Sequence, residues 1–285
     1  NNFFDLQVTG HISQYEFHKK YQISEELQKK IVEYAREVRI PIFSAPSHTQ
    51  DLELIDKLEL PFYKIGSDLA CHIPLLREIA KKKKPIILST GMCTLEEIKE
   101  SVKCIFDEGN DELVLLHCVS DYPANVEESN LRAIIELKKE FDIPVGFSDH
   151  AIGDSISLTA SILGANVIEK HMRHPDNGFF PDDVHSLTPD QFSKLIISIR
   201  KMEVILGDGK KMPSHSELQN RQKNRVSIIS TKKIPKNTII TKQMLDIRRP
   251  GTGLQPIHFE KIIGMRTAKD IEEEMPLEWN MLEQI

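Results

Sequence analysis

The sequence predicts an α/β fold, a (β/α)8-type barrel lacking its N-terminal strands, followed by a small separate module. Three observations predict it. Six short apolar runs alternate with six segments of helical spacing, small polar residues gather at the C-terminal ends of the apolar runs, and the alternation stops after Leu206. Short, nearly all-apolar runs describe strands buried on both faces. Strand–helix alternation means a parallel sheet, either open or closed into a barrel. A closed barrel needs eight units. Count alone places two of them before Asn1, and an open sheet of six strands satisfies the same pattern. No Gly-x-Gly-x-x-Gly follows a strand, which disfavours a dinucleotide-binding sheet.

The predicted strands are Ile40–Ser44, Phe62–Ser67, Pro85–Thr90, Leu113–Val119, Pro144–Asp149 and Asn166–His171. The predicted helices start where capping chemistry stands. Ser24 precedes Glu25 and Glu26 in the segment Ser24–Glu37, and Thr94-Leu95-Glu96-Glu97 has the form of a capping box in Thr94–Glu108. Thr188-Pro189 opens Thr188–Leu206 with proline in the first turn, where its missing N–H costs nothing. Ile73–Lys82, Asn130–Glu140 and Ser155–Leu163 complete the set. The polar segment Gly207–Arg225 is expected to be a linker. Residues 226–285 contain short alternating runs, Val226–Ser230 and Thr238–Ile240, and a turn at Pro250-Gly251-Thr252-Gly253. Such a small module has a limited core.

Apolar residues make up 40% of the chain and charged residues 28%, with a formal net charge of −6, which is unlike a nucleic-acid or anionic-membrane binder. No apolar run approaches the length of a membrane span, and the start at Asn1 lacks the regions of a signal peptide. The four cysteines, Cys71, Cys93, Cys104 and Cys118, form no Cys-x-x-Cys pair and are expected to be reduced, buried thiols of a cytosolic protein.

The polar strand ends carry the candidate chemistry. His150 and His171 end consecutive strands, and neighbouring strands lie about 4.8 Å apart, so the two imidazoles can share a divalent metal. The alternative is a pair of hydrogen-bonded strand-end histidines. Asp149 and Glu169 either orient those rings or face a helix. Lys64, Ser67, Ser89 and Ser148 end different strands, and a lysine with several hydroxyls suits a phosphate. Otherwise the serines bond their own loops. The run Lys81–Lys84 is read as a solvated helix end.

Several motifs, in one order across essentially the whole chain, resemble the sialic acid synthase family. They are Tyr63-Lys64-Ile65-Gly66-Ser67, Lys84-Pro85-Ile86-Ile87-Leu88-Ser89-Thr90-Gly91-Met92, Leu116 to Pro123, Gly146-Phe147-Ser148-Asp149-His150, and Gly164-Ala165 through His171. Leu206-Gly207-Asp208-Gly209 and Arg248-Arg249-Pro250-Gly251-Thr252-Gly253 continue the likeness, and the last module resembles the antifreeze-like (SAF, β-clip-like) domain of these enzymes. The resemblance implies a synthase barrel over 1–207, a linker over 208–225 and a SAF domain over 226–285. It implies condensation of phosphoenolpyruvate with an N-acetylated amino sugar, either N-acetylmannosamine or a diacetamido-trideoxyhexose, to a nine-carbon 2-keto acid and phosphate. Lys64 and Asp68 would be catalytic. Lys64, Ser67, Ser89 and Ser148 would hold phosphoenolpyruvate, and His150 and His171 would hold manganese or magnesium. Ser120, Tyr122 and Asp182 would meet the sugar. Arg249 would reach it from the last module of the partner subunit in a domain-swapped, cytoplasmic homodimer, with no nucleic-acid or membrane partner.

Three positions depart from the family pattern. Leu69 occupies a slot that is usually acidic, and strand alternation points the adjacent Asp68 elsewhere. Ala45 replaces a hydroxyl residue, and the run His174–Asp182 differs from the usual approach to the sugar. Leu69 and Ala45 also fit an alternative, a catalytically impaired homologue that binds sugar or phosphoenolpyruvate.

Overall fold

A computed structural model describes residues 3–6, 10–174 and 180–284. The chain separates into two compact units, Asn1–Gly207 and Asp208–Ile285.

The first unit begins with an antiparallel hairpin, β1 (Phe3–Leu6) and β2 (Gly10–Ser13), then α1 (Gln14–Tyr21). α2 (Glu25–Glu37) starts at Ser24, whose hydroxyl accepts from the Leu27 N–H at 3.2 Å. The predicted strand Ile40–Ser44 contributes only one bridged position, Ser44 beside Tyr63. Pro41 has no N–H for a ladder, and Ile40 is exposed rather than covered by a helix. A helix that patterning did not reveal follows, α3 (Thr49–Lys57).

Five parallel strands then run in sequence order: β3 (Tyr63–Ile65), β4 (Ile86–Ser89), β5 (Leu113–Cys118), β6 (Val145–Asp149) and β7 (Ile168–Lys170). The helices α4 (Ile73–Ala80), α5 (Leu95–Asp107), α6 (Ala133–Glu140) and α7 (Ser155–Ile162) connect them, and α8 (Pro189–Leu206) follows β7. The predicted capping box forms between Thr94 and Glu97, and Thr188 and Gln191 make a second one beside the predicted first-turn proline. Tyr63, Ile65, Ile86, Leu88 and Leu115 are fully buried in one core with Leu76 and Ile79 of α4, Ile105 of α5 and Ile134 of α6.

The sheet is strongly curved. Strands lie about 4.8 Å apart, so β3 and β7, four places apart, would be roughly 19 Å apart if the sheet were flat. Instead Lys64 Nζ on β3 lies 3.6 Å from Glu169 Oε1 on β7. Side chains pointing to the concave side therefore converge, and the unit is an incomplete parallel barrel.

The second unit is built from short antiparallel pairs. α9 (His215–Asn224) occupies most of the segment expected to be a linker. Ser214 and Glu217 cap it reciprocally, and Gly251 N–H donates to Gln222 O at 2.8 Å. β8 (Ser227–Ser230) pairs with β9 (Leu245–Arg248), and after α10 (Phe259–Ile262), β10 (Arg266–Thr267) pairs with β11 (Leu282–Glu283). The predicted strand Thr238–Ile240 supplies one bridge, Ile239 to Arg266. Ile228, Ile234, Ile262, Ile271 and Leu277 form this unit's own core.

All four cysteines are free, but Cys71 is exposed and Cys93 half-buried, so only Cys104 and Cys118 fit the expectation of buried thiols. Cys71 lies in the turn between the 3-10 segment Ser67–Leu69 and α4, with its sulfur 3.8 Å from that of Cys93. Among the described residues, no helix is long and apolar enough to cross a membrane.

Candidate active site

Register explains how the site is assembled. In the β6–β7 pair, Ser148 stands opposite Glu169 and Asp149 opposite Lys170, so His150 and His171 follow directly on adjacent strands. Successive side chains alternate between faces. Asp149 and Lys170 accordingly form an ion pair of 3.2 Å on one face, while Ser148, His150 and Glu169 meet on the other. There Ser148 Oγ donates to Glu169 Oε1 at 2.6 Å and lies 3.3 Å from His150 Nε2. Lys64 Nζ donates to Ser89 Oγ at 2.7 Å and faces the same Glu169 oxygen. Lys64, Ser89, Ser148, Glu169 and His150 thus form one continuous polar network across four strands.

The histidines group around Tyr122. Its ring centroid lies 4.3 Å from that of His150, 5.6 Å from that of His185 and 6.1 Å from that of His171. His150 and His171 are 5.5 Å apart, and His171 and His185 4.7 Å apart, between centroids. His150 Nδ1 sits 2.8 Å from Val119 O, which fixes the ring with Nε2 toward the rim. Two backbone bonds hold the His185 segment beside β7: Leu187 N–H donates to His171 O and Arg173 N–H to Leu187 O, each at 2.9 Å. Burial holds the pKa of His150 below the ordinary histidine range and that of His185 down to about 4, so both rings are neutral at pH 7. Burial, followed by the nearby Cys118, Asp182, Asp68 and Glu169, pushes the Tyr122 phenol up to about 12.

Ser67, Ser120 and Cys118 crowd around Gly91. Ser67 Oγ accepts from Gly91 N–H at 2.9 Å, and a Cβ at Gly91 would stand 2.3 Å from Ser120 Oγ. Only glycine permits that approach. The strand predicted through Ser67 ends at Ile65, because Ser67–Leu69 turns into a 3-10 helix. Alternation along a strand therefore does not decide where Asp68 points. Asp68 is exposed and contributes to the field at Tyr122, whereas Leu69 packs against the core. Arg249 belongs to the second unit and is exposed beside Arg248, which pairs with Asp246 at 2.7 Å. Of the run His174–Asp182, residues 175–179 lie outside the described residues.

Residues 2–211 match the NeuB family and residues 225–283 the SAF domain. The chain belongs to the NeuB family. It is 37% identical over 268 residues to the uncharacterized protein MJ1065 of Methanocaldococcus jannaschii, covering 94% of this chain and 80% of that protein. It is also 37% identical to the N,N'-diacetyllegionaminic acid synthase of Legionella pneumophila, covering 95% of this chain and 77% of that one. Among solved structures, the N-acetylneuraminic acid synthetase of Leptospira borgpetersenii is similar at 32% identity and a TM-score of 0.66, covering 71% of this chain and 70% of that chain.

In this NeuB-family chain, His171, Asp182 and His185 form a group able to coordinate a divalent metal, with ligand atoms all within 4.8 Å of one another. Asp182 Oδ2 lies 3.6 Å from His171 Nδ1. The fit to a metal rests on the donor set and on His185, whose two buried ring nitrogens have no hydrogen-bond partner among the described residues. The sequence reading missed two residues here. The sequence alone leaves Glu169 between two faces, and the β6–β7 register assigns it inward with Ser148. The signal for His185 is its place three residues after Asp182 in a chain that already has two histidines at strand ends.

Proposed function

We propose that the chain condenses phosphoenolpyruvate with an N-acylated amino sugar, giving a nine-carbon 2-keto sugar acid and phosphate. The observation that carries this reading is the Lys64–Ser89–Glu169–Ser148–His150 network. It sets an ammonium and hydroxyls on the same concave face as the His150 imidazole, which burial keeps neutral. The Legionella relative, described as a diacetyllegionaminic acid synthase, and the Leptospira structure, described as an N-acetylneuraminic acid synthetase, support it.

In this mechanism Lys64 and the Ser67, Ser89 and Ser148 hydroxyls hold the phosphoryl group. Lys64 exchanges Glu169 for the phosphate oxygens, while Glu169 keeps its hydrogen bond from Ser148. His150 and His171 would hold a divalent ion, manganese or magnesium, whose contribution is to polarise the sugar aldehyde. Tyr122 stays protonated at neutral pH and can donate to the sugar beside Ser120 and Asp182. C3 of the enol attacks the aldehyde carbon, water adds at C2, and the C2–O bond to phosphate then breaks. Lys64 stabilises the departing anion in a half-dry mouth. Leu69 offers no proton, so Asp68, exposed beside it, is the carboxylate assigned to proton transfer at the sugar. Arg249 would come from the SAF domain of the partner subunit in a homodimer.

The test is phosphate release from phosphoenolpyruvate with manganese and, separately, N-acetylmannosamine and a 2,4-diacetamido-trideoxyhexose. Release with one sugar, together with a product mass equal to sugar plus pyruvate, supports the reading. Phosphoenolpyruvate binding without release for every sugar replaces it with the non-catalytic homologue that Leu69 and Ala45 suggest.

A further inference from the structure

We propose that His185 is a second imidazole ligand, forming with His171 and Asp182 a site that selects a transition-metal ion over magnesium. This rests on the metal reading above and deepens it.

His185 is 2% exposed, and its Nδ1 and Nε2 are the buried side-chain nitrogens left without a partner among the described residues. Two other histidine rings are satisfied: the half-buried His117 has Nε2 2.9 Å from Ser129 O, and the buried His150 meets Val119 O and Ser148 Oγ. A neutral imidazole carries one donor and one acceptor. Native structures rarely leave such groups buried and unmade.

A ring needed only to pack against Tyr122 would not require nitrogen. Yet the fold delivers a histidine here, with the Leu187–His171 and Arg173–Leu187 backbone bonds fixing its segment 4.7 Å, ring to ring, from His171. Ligand nitrogens around one ion, each about 2.0–2.1 Å from it, stand at most roughly 4.2 Å apart. The donor atoms of His171, Asp182 and His185 lie within 4.8 Å of one another, so small side-chain rotations close the set.

Its composition decides the ion. Magnesium is hard, prefers oxygen and keeps its waters. Imidazole nitrogen suits iron, nickel and zinc, and divalent affinity generally rises from iron through cobalt to nickel. Two imidazoles with one carboxylate therefore disfavour magnesium.

The experiment titrates the metal-free protein with cobalt(II), followed by visible absorption, and with magnesium in competition. It compares the wild type with His185→Ala and His185→Cys. The expected result is one cobalt per chain, held about a hundredfold or more tighter than magnesium, and at least tenfold weaker cobalt binding in His185→Ala. His185→Cys should restore affinity and add a thiolate-to-cobalt charge-transfer band absent from the wild type. That band reads ligation directly even if the alanine variant folds poorly. Unchanged cobalt affinity and spectrum in His185→Ala, or cobalt bound by His185→Cys without the new band, overturns the inference and leaves His185 a packing residue. A wild type that binds no cobalt removes the metal reading as well, whereas the phosphate-release assay judges the synthase reading independently.

Discussion

On one face of β6 and β7, Asp149 and Lys170 are paired at 3.2 Å with side chains 1% and 0% exposed. Asp149 also accepts from Ala151 N–H at 2.9 Å and Ser157 Oγ at 2.6 Å, and Lys170 also donates to Ala151 O. On the other face, one residue earlier and one later along the same strands, lie Ser148, Glu169, His150 and His171. Glu169 is one-third exposed, Lys64 is 3.6 Å from it, and the ring nitrogens of His185 nearby have no hydrogen-bond partner among the described residues. The same strands thus carry acid, base and hydroxyl on both faces. The first set is closed on itself and can only hold β7 to β6 and α7. The second leaves lone pairs and N–H groups for something else. Polar density alone does not mark a functional site; what marks it is bonding capacity that the fold leaves unused.

Lys170→Met tests the closed face and should have the largest effect. It leaves Asp149 buried with a charge and no counter-ion, which costs about 3–5 kcal/mol, read as a shift in the urea midpoint. Asp149→Leu combined with Lys170→Met should cost far less than the sum of the single changes, because replacing both ions together removes the uncompensated charge. A nearly neutral Lys170→Met would mean that the outer pair does not hold the strands, and the contrast between the faces would fail.

Lys64→Met tests the open face, and its effect should fall on the ligand rather than on the fold. Glu169 keeps the Ser148 bond and reaches water, so stability should change by about 1 kcal/mol or less. Phosphoenolpyruvate affinity, measured by titration calorimetry, should fall roughly 10–100-fold, the scale of losing hydrogen bonds from a charged group. A large loss of stability with unchanged affinity would move Lys64 to the structural set.

Much of this was legible from local signals. The boxes at Thr94 and Thr188 involve residues three apart, and the strand-end histidines follow from the ordering of parallel strands. The box at Ser214 and Glu217 was equally local, but the surrounding polarity hid α9 because that helix buries no residue of its own. What could not be read depends on distance in space. The approach of Lys64 to Glu169 exists only because the sheet curves, and no window of sequence reports curvature. The inward placement of Glu169 needs the β6–β7 register, and the burial of His185 needs the bridge from Met172 to Leu187, which ties a 3-10 turn back to the sheet. The Ile40–Ser44 run had the composition of a strand, yet Pro41 and an uncovered Ile40 reduced it to one bridge.

The smallest expected effect concerns protons on the open face and beside it. Burial lowers the pKa of His117, His150 and His185 from the ordinary 6.5, to about 4 for His185. The folded chain therefore resists protons that the unfolded chain accepts at 6.5. As pH falls through that value the unfolded state binds more protons, so stability declines, and it continues to decline until each ring titrates in the folded state. The clean window is pH 7 to 5, above the range where carboxylates protonate. Urea melts of chelator-treated protein should show the midpoint falling steadily across it. His117→Asn removes one of the three rings without touching the histidine group around Tyr122, so its midpoint should fall less steeply over the same interval. Equal slopes for wild type and variant would mean that His117 titrates normally in the fold. It would then stand apart from the histidines the barrel keeps neutral.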